Sequence, residues 1–382
     1  MQGYKGKTHD LYEWRFGDDL KYILVWTAEN STFEVQDGQG ILLDHDCKDV
    51  NCYITTNKSL LNGRYEQFNA IVFHFGLLRQ WLPRFLPKHR APHQKYVFYS
   101  RLPSEDYPIC SQTVDNYFNW TWSYKFASDI FNPFIEVRHI NGTVVAPRSK
   151  VIWPKNSELS PAIFNNIDEV NTKTKAVMWL MSYCQPKATN LMSLKKLSTS
   201  LKDHDLSLDI YGCGNTPCPP GGCLELISRR YYFYLVFESS VTEDYLTEEV
   251  LMAYDNDAVP IIIGGGDCTK FLPDGSYISY QGLNEVQLAA IIAHTIKTPS
   301  KYREYFNWKS LYTINRVDQN KGFCKLCTLL NDYKKFASFS NYENFRNWWH
   351  HGPLRQKCLP KGAETYDEVL SYENISRAIN VA

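Results

Sequence analysis

Short runs of β-branched and aromatic residues, separated by polar segments, characterise the first part of the chain. They read KYILVW, NCYITTN, NAIVFHF and KYVFYS, with FIEV at 134–137 as a fifth run. Short apolar runs bounded by polar and glycine-containing segments are typical of β-strands. The pattern therefore predicts a strand-rich N-terminal α/β domain over residues 1–150. A polar, proline-bearing stretch over 151–174 is predicted to be a linker.

The second half alternates between apolar runs and segments with helical spacing. KAVMWLMSY, LSLDIYG, RYYFYLVFES and VPIIIGG predict strands, and LMSLKKLSTSL, DYLTEEVLMAY and NEVQLAAIIAHTI predict helices. Strands that alternate with helices form parallel sheets covered by helices. We therefore expect a second α/β domain over residues 175–345, and a C-terminal tail, residues 346–382, that packs back on the core.

Length and charge narrow the class of protein. A chain of 382 residues is long enough for two domains of ordinary size. Lys and Arg number 41 and Asp and Glu number 41, so the formal charge is zero. This balance argues against binding of nucleic acid or of an anionic membrane surface. The N-terminus has no apolar signal core and no run of eighteen apolar residues occurs, so we expect no segment that enters a membrane.

The eleven cysteines allow two interpretations. The spacing Cys324-x-x-Cys327 would suit zinc, or the cysteines would form disulfides in a secretory compartment. Zinc would need a second closely spaced pair, so we expect Cys324 and Cys327 to be disulfide-bonded, to each other or to other cysteines. Asn-x-Ser/Thr sites fit glycosylation in the same compartment. They lie at Asn30, Asn57, Asn119, Asn141 and Asn374.

An unusual concentration of acidic residues follows the predicted strand RYYFYLVFES. The stretch ESSVTEDYLTEEVLMAYDNDAVPIIIGG starts at Glu238 and has five acids around the predicted start of a helix. Thr242 would cap that helix, with Glu243 and Asp244 complementing its dipole. Ligands of parallel α/β sheets bind beyond the carboxyl ends of the strands, and a helix N-terminus there can bind phosphate. The alternative is a capped surface helix with solvated acids.

The same stretch resembles the donor-site motif of the α1,3-fucosyltransferases. Further segments similar to that family are FNWTWSYKFASDIFNPF, YREYFNWK, QKYVFYSRLPSEDYP and LDIYGCGNTPCPPGGC, which together span about 70–345. The resemblance implies a GT-B-like α/β fold, with two Rossmann-like domains facing a cleft. It also implies inverting transfer of fucose from GDP-fucose to the 3-hydroxyl of N-acetylglucosamine in a protein-linked glycan. The implied place is the Golgi lumen, where members of the family are usually held by a membrane anchor, and we expect no such anchor within this sequence.

The resemblance also implies which residues bind the donor. The matching positions are Glu238, Ser239, Asp244, Tyr245, Thr247 and Glu248. GDP-fucose and a GlcNAc-containing glycan are the implied partners, and no tightly bound cofactor is implied. A divalent metal would act only as an activator, and not through Asp255-Asn256-Asp257, which we interpret as a turn. On the acceptor side, His74 matches a family histidine, or is a core histidine whose hydrogen bonds are satisfied.

Three positions depart from the family pattern. Glu249 stands where the family has a lysine that contacts the diphosphate. Asn190 stands where an arginine holds a phosphate, and Leu102 where the proposed general base lies. Replacement residues would be Glu105 as a tentative base, and Lys187, Arg229 or Arg230 as cations. Two hypotheses therefore remain, a working transferase and a catalytically inactive homologue that binds glycans or a partner enzyme.

Overall fold

The computed structural model describes residues 19–26, 35–74, 86–109, 111–161, 173–181, 188–238 and 240–350. Contacts divide the chain into a first unit, Met1–Asn132 with Asp318–Ala382, and a second unit, Pro133–Val317. This division differs from the predicted boundaries at 150 and 345. A strand at 135–139 pairs with one at 312–316, and the helix that begins at 322 packs on the first unit.

The first unit is built on a six-stranded parallel sheet. Its strands are β1 Lys21–Trp26, β2 Cys52–Thr55, β3 Ala70–His74, β4 Lys95–Ser100, β5 Trp120–Ser123 and β6 Ile130–Phe131. The order across the sheet is β2-β1-β3-β4-β5-β6. Strands β1 to β4 confirm the four predicted from apolar runs. Strands β5, with four residues, and β6, with two, were not predicted, because each is too short to mark a strand by its pattern.

Helices pack on this sheet, and one of them carries two disulfides to the rest of the unit. The described α-helices of the unit are Gly40–Asp44, Gly322–Asn331, Tyr333–Ala337 and Phe345–Trp349. Helix Gly322–Asn331 buries Phe323, Leu326 and Leu330 against the sheet. The same helix forms the disulfides Cys47–Cys324 and Cys52–Cys327. The predicted disulfides at Cys324 and Cys327 are confirmed, each with a cysteine far away in sequence, and these thiols are not available to zinc.

An aromatic cluster lies on the first unit around helix Phe345–Trp349. Phe98 on β4 packs against Phe345 and Trp349, and both centroid distances are 4.8 Å. Phe345 and Trp349 are fully buried. The start of the predicted tail thus packs on the first unit, and residues 351–382 lie outside the described part of the chain.

The second unit contains two sheets. Strands β7 Ile135–His139, β8 Val144–Ala146 and β14 Tyr312–Arg316 form an antiparallel sheet in the order β14-β7-β8. The larger sheet is parallel and has the order β10-β9-β11-β12-β13. Its strands are β9 Lys175–Leu180, β10 Leu208–Tyr211, β11 Tyr231–Phe237, β12 Val259–Ile263 and β13 Ile278–Ser279.

Helices pack on this parallel sheet and complete an α/β unit. The described α-helices are Ala188–Lys202, Leu224–Arg230, Leu251–Tyr254, Glu285–Lys297 and Pro299–Glu304. Leu197 and Leu288 from two of them meet Phe233 and Ile261 of the sheet in one buried core. Two α/β units, each with its own parallel sheet, confirm the predicted class with two Rossmann-like domains. No helix in the described ranges is both long and apolar enough to cross a membrane.

Candidate functional site

Residues 238–247, here called the acidic loop, follow the carboxyl end of β11. Glu238 is the first residue after the strand and is 3% exposed. Its Oε1 accepts a hydrogen bond from the Thr247 backbone N–H, at 2.8 Å, and another from the Thr247 hydroxyl, at 2.9 Å. These two bonds join the ends of the loop, so a buried carboxyl group determines where the next helical segment begins. Ser239 lies outside the described residues.

The helical segment begins five residues later than predicted. A 3-10 turn, Glu248–Val250, leads into the α-helix Leu251–Tyr254, and Thr247 caps it by accepting a bond from the Glu249 N–H at 3.3 Å. The prediction of Thr242 as the N-cap is wrong. Thr242 is buried, and its hydroxyl lies 2.8 Å from that of Ser240. Asp244 has a φ of 58°, in the left-handed region, which no helix start contains.

Three consecutive glycines after β12 let the acidic loop lie directly against the neighbouring strand end. The Gly265 N–H donates to the Ser240 carbonyl at 2.9 Å, and the Gly266 N–H donates to the Tyr245 carbonyl at 2.8 Å. A Cβ atom on Gly265, where φ is 72°, would lie 3.0 Å from the Tyr245 carbonyl oxygen and 3.2 Å from Glu238 Cγ. Only glycine fits this contact without strain. The run of three glycines was visible in the sequence, but its partner was not.

A lysine missed by the sequence analysis reaches the acidic loop. Lys270 ends the 3-10 turn Cys268–Lys270, and its Nζ lies 3.4 Å from Asp244 Oδ1. Asp244 is 8% exposed, so water screens this ion pair less than one at the surface. No spacing in the sequence relates positions 244 and 270. The pair exists because the Cys268–Lys270 turn follows the three glycines that contact the loop.

The arginines proposed as replacement cations lie at the wrong end of the sheet. Arg229 and Arg230 end helix Leu224–Arg230 directly before β11, whereas the acidic loop follows the last residue of that strand. A strand of this length extends about 20 Å. Arg229 Nη2 instead pairs with Glu225 Oε1 at 2.8 Å. Lys187 lies outside the described residues, and Asn190 lies in helix Ala188–Lys202.

Two further residues of the donor motif lie in the acidic loop and directly after it. Tyr245 is 5% exposed, and its ring packs edge-on against Phe134 with a centroid distance of 5.4 Å. Glu248 lies in the first turn of the 3-10 segment and is partly buried. The described donor-motif residues therefore lie in the loop and in the turn after it, and backbone bonds from Gly265 and Gly266 hold the loop at Ser240 and Tyr245.

Glu249 lies beside Glu238 and forms part of a cluster of carboxyl groups. It is partly buried and is hydrogen-bonded to Tyr234 of β11, which is 1% exposed. Burial, and next the charge of Glu238, raise the pKa of Glu249 to about 8. Burial also raises the pKa of Glu238 to about 7, although its bonds from Thr247 oppose the shift. This end of the sheet therefore holds carboxyl groups that bind protons near neutral pH.

The predicted acceptor-side histidine ends a central strand of the first unit. His74 is the last residue of β3, in register with Tyr99 of β4, and the two ring centroids are 5.3 Å apart. Burial lowers the pKa of His74 to about 4, so the imidazole is neutral at physiological pH. A neutral imidazole can accept or donate a hydrogen bond, but it offers no charge to an anion.

The loop that contains Glu105 is held by the aromatic cluster of the first unit. The Ser104 N–H donates to the Tyr124 hydroxyl at 2.7 Å, and the Trp349 indole N–H donates to the Tyr107 carbonyl at 2.8 Å. Glu105 and Leu102 are both partly buried. These bonds give the backbone on either side of Glu105 a defined position.

The Asp255-Asn256-Asp257 triplet forms a turn between the short helix and β12, as predicted. Asp257 has a φ of 48°, and its Oδ1 lies 2.5 Å from Lys309 Nζ. Asn256 Nδ2 donates to the Met252 carbonyl at 2.9 Å. Two of the three side chains therefore bond to the protein itself.

The predicted glycosylation sites differ in exposure. Asn57 and Asn141 are exposed, and each accepts a hydrogen bond from the backbone N–H two residues on. Asn119 is 6% exposed, and its Nδ2 donates to the Ser340 carbonyl at 2.6 Å. A glycan on that nitrogen would require this buried bond to break. Asn30 and Asn374 lie outside the described residues.

Comparison with known proteins gives consistent matches over both units. The profile described as "Glycosyltransferase family 10 (fucosyltransferase) C-term" matches residues 170–348, and "Fucosyltransferase, N-terminal" matches residues 18–135. Alpha-(1,3)-fucosyltransferase C of Drosophila melanogaster is 30% identical over 353 residues, which are 88% of this chain and 79% of that protein.

Vertebrate enzymes and solved structures match as well. The 3-galactosyl-N-acetylglucosaminide 4-alpha-L-fucosyltransferase of Homo sapiens is 28% identical over 296 residues, 76% of this chain and 73% of that protein. A crystal structure of an alpha1,3-fucosyltransferase with GDP-fucose aligns with a TM-score of 0.48 and 13% identity, over 85% of this chain and 92% of that chain.

Proposed function

The chain belongs to glycosyltransferase family 10, the fucosyltransferases, and from this we propose that it transfers fucose, with inversion, from GDP-fucose to the 3-hydroxyl of N-acetylglucosamine in a protein-linked glycan. The Drosophila relative is named for the α1,3 linkage, which supports the 3-hydroxyl as the acceptor. The observation that carries the proposal is the acidic loop at the carboxyl end of β11. In parallel α/β sheets this is the end at which ligands bind.

In this proposal the acidic loop binds the sugar and the diphosphate. Glu238 holds Thr247 in place through two hydrogen bonds, so the loop is organised without a ligand. Asp244 and Lys270 contribute an ion pair at 3.4 Å. Carboxylates accept hydrogen bonds from sugar hydroxyls, and a lysine offers a point charge to phosphate. The proposed donor residues are Glu238, Ser239, Asp244, Tyr245, Thr247 and Glu248, with Lys270 added.

Inverting transfer also needs a base that takes the acceptor proton as the hydroxyl attacks. Leu102 cannot accept a proton, so Glu105 is our candidate. Its loop is held at Ser104 and Tyr107 by bonds to Tyr124 and Trp349. We expect Glu105→Gln to lower kcat by about 10²–10⁴-fold while GDP-fucose binding is unchanged. Asp106→Asn, one position on, is the control and should retain its activity. Equal activity of the two variants would exclude Glu105 as the base.

The decisive experiment measures donor binding and transfer separately. Titration calorimetry of the purified chain with GDP-fucose tests the donor site. Incubation with GDP-fucose and GlcNAc-containing N-glycans, followed by mass spectrometry and NMR of the product, tests transfer, linkage and anomeric configuration. Saturable binding with a β-to-α inverted α1,3 product would support the proposal. Failure to bind GDP-fucose would overturn it.

A specific observation favours a second candidate, a catalytically inactive homologue that binds glycans or a partner enzyme. Leucine occupies position 102, and the acidic loop and the turn after it hold five carboxyl groups, of which Asp244 is paired with Lys270. Glycan binding without transfer would support this alternative. For either function we propose the Golgi lumen as the location, because the family and the disulfides both fit a secretory compartment.

A further inference from the structure

We propose that Glu238 and Glu249 act as a proton-binding pair that takes up a proton when the diphosphate of GDP-fucose binds at the acidic loop. The inference rests on the proposed function, since it concerns regulation of the same donor site. It makes Glu249 a positioning residue, whose protonation state determines how much negative charge the loop presents to the donor.

Glu238 begins the acidic loop, and Glu249 lies two residues beyond its end, close enough for the charge of Glu238 to act on it. Glu238 is the first residue after β11, and Glu249 lies in the 3-10 turn that Thr247 caps. Thr247 connects them, because its hydroxyl donates to Glu238 and accepts from the Glu249 N–H. The capping bond thus keeps Glu249 close to Glu238 in any state in which the helical segment is formed.

The part of the chain that the structure describes provides hydrogen bonds to this pair but no ion pair. Glu238 accepts both of its bonds on Oε1 from Thr247, and Glu249 is bonded to Tyr234. Among the residues that the structure describes, neither carboxyl forms an ion pair, and Lys270 is paired with Asp244. Two adjacent, poorly hydrated carboxylates without a cation repel each other, so one of them retains a proton.

The groups that face the pair do not replace that missing charge. Glu248 comes from the same turn and adds further negative charge. Tyr234 comes from β11, and burial keeps its hydroxyl protonated. Cys268, from the turn after the glycines, is also buried, and burial and Glu238 raise its pKa to about 12. All of these neighbours are neutral or negative at physiological pH.

Binding of a diphosphate at the loop adds negative charge and therefore stabilises the protonated form of the pair. By linkage, donor affinity then falls as pH rises through the range in which the pair titrates, which is around 7 to 8. GDP-fucose is the better probe than GDP, because the terminal phosphate of GDP titrates with a pKa near 6. We expect GDP-fucose to bind about fivefold to tenfold more weakly at pH 8.5 than at pH 6.5.

The test is calorimetry of GDP-fucose with the whole chain at pH 7.5 in phosphate and in Tris, which differ in ionisation enthalpy. The difference in apparent enthalpy gives the number of protons taken up. We expect a fraction of one proton for the unmodified chain and for Glu243→Gln, an exposed control in the same loop. Glu249→Gln should bind GDP-fucose with little proton uptake and a flat pH profile.

The outcomes separate the two proposals. Binding without proton uptake, or equal uptake by Glu249→Gln, would overturn the proton-binding pair and leave the donor site intact. Absence of binding at either pH would overturn the proposed function, and this inference with it. Infrared spectroscopy of the unliganded chain provides a readout that requires no variant to fold. A carboxylic acid band must be present at pH 7 and titrate near pH 8, and its absence would exclude the pair.

Discussion

At the residue scale, Glu249 makes the stability of the second unit depend on pH. Its pKa is raised from 4.5 to about 8, so the folded chain binds its proton more tightly than the unfolded chain. Below about pH 4.5 both states are protonated and the residue has no effect. Between about pH 4.5 and 8 the unfolded chain has released this proton while the folded chain retains it, so stability falls as the pH rises, and the loss is complete once the folded carboxyl has ionised above about 8.

This predicts that Glu249→Gln resists unfolding better than the unmodified chain at pH 8, and equally well at pH 4.5. The expected gain at pH 8 is on the order of 1–2 kcal/mol, reduced by the partial exposure of the side chain. Urea unfolding at the two pH values measures it, with the exposed Glu243→Gln as the control. A gain of the same size at both pH values would show that ionisation is not the cause.

Gly265 illustrates a second effect at this scale, the close approach of two backbones. Gly265→Ala should lower the free energy of unfolding by about 1–3 kcal/mol and weaken GDP-fucose binding, because the new Cβ meets the Tyr245 carbonyl oxygen. Gly282→Ala is a matched control, since Gly282 has a similar φ of 83° but nothing within 4 Å of its Cβ. Equal losses in the two variants would mean that backbone conformation alone is responsible.

At the scale of elements, helix Gly322–Asn331 is attached to the first unit by two disulfides that close nearly the same loop. Cys47–Cys324 and Cys52–Cys327 span 277 and 275 residues. While one disulfide remains, the long loop of the unfolded chain is still closed. The second disulfide then closes only a small ring, made of the few residues between Cys47 and Cys52 and between Cys324 and Cys327. The two contributions to stability are therefore strongly non-additive.

We predict that replacing either cysteine pair by alanine costs about 2–3 kcal/mol, and that replacing both costs about 8 kcal/mol. Urea unfolding under non-reducing conditions measures the difference, and Cys268→Ala, at a buried free thiol, is the control. Additive losses would contradict the shared-loop explanation.

The element scale also shows where sequence patterns failed. The pattern DYLTEEVLMAY has helical spacing from Asp244, yet the helical segment begins at Glu248. The helical spacing of apolar residues correctly identified side chains that are buried in the core, such as Leu251. It could not show that Gly265 and Gly266 would bond to the backbone of the acidic loop. Those contacts are with residues about twenty positions later, and they hold Asp244 in a left-handed conformation that ends any helix there.

At the scale of the whole molecule, the surface determines which Asn-x-Ser/Thr sites can carry a glycan. We predict glycans at Asn57 and Asn141 when the chain is secreted from eukaryotic cells, and none at Asn119, whose side chain is buried and hydrogen-bonded. Peptide mass spectrometry before and after enzymatic deglycosylation measures occupancy at each site. A largely occupied Asn119 would contradict the packing of Ser340 against it.

The sequence alone determined the α/β class, the parallel strands up to β4, strands β7 and β9 to β12 of the second unit, and the family, because these depend on local periodicity and on motifs of adjacent residues. It also identified Cys324 and Cys327 as disulfide-bonded, but not their partners. Only the tertiary structure decided that Lys270 pairs with Asp244, that Arg229 lies at the opposite end of β11, and that Glu249 meets Glu238. Such contacts join residues whose separation in sequence follows no period, so they exist only once the sheet has brought its strand ends together.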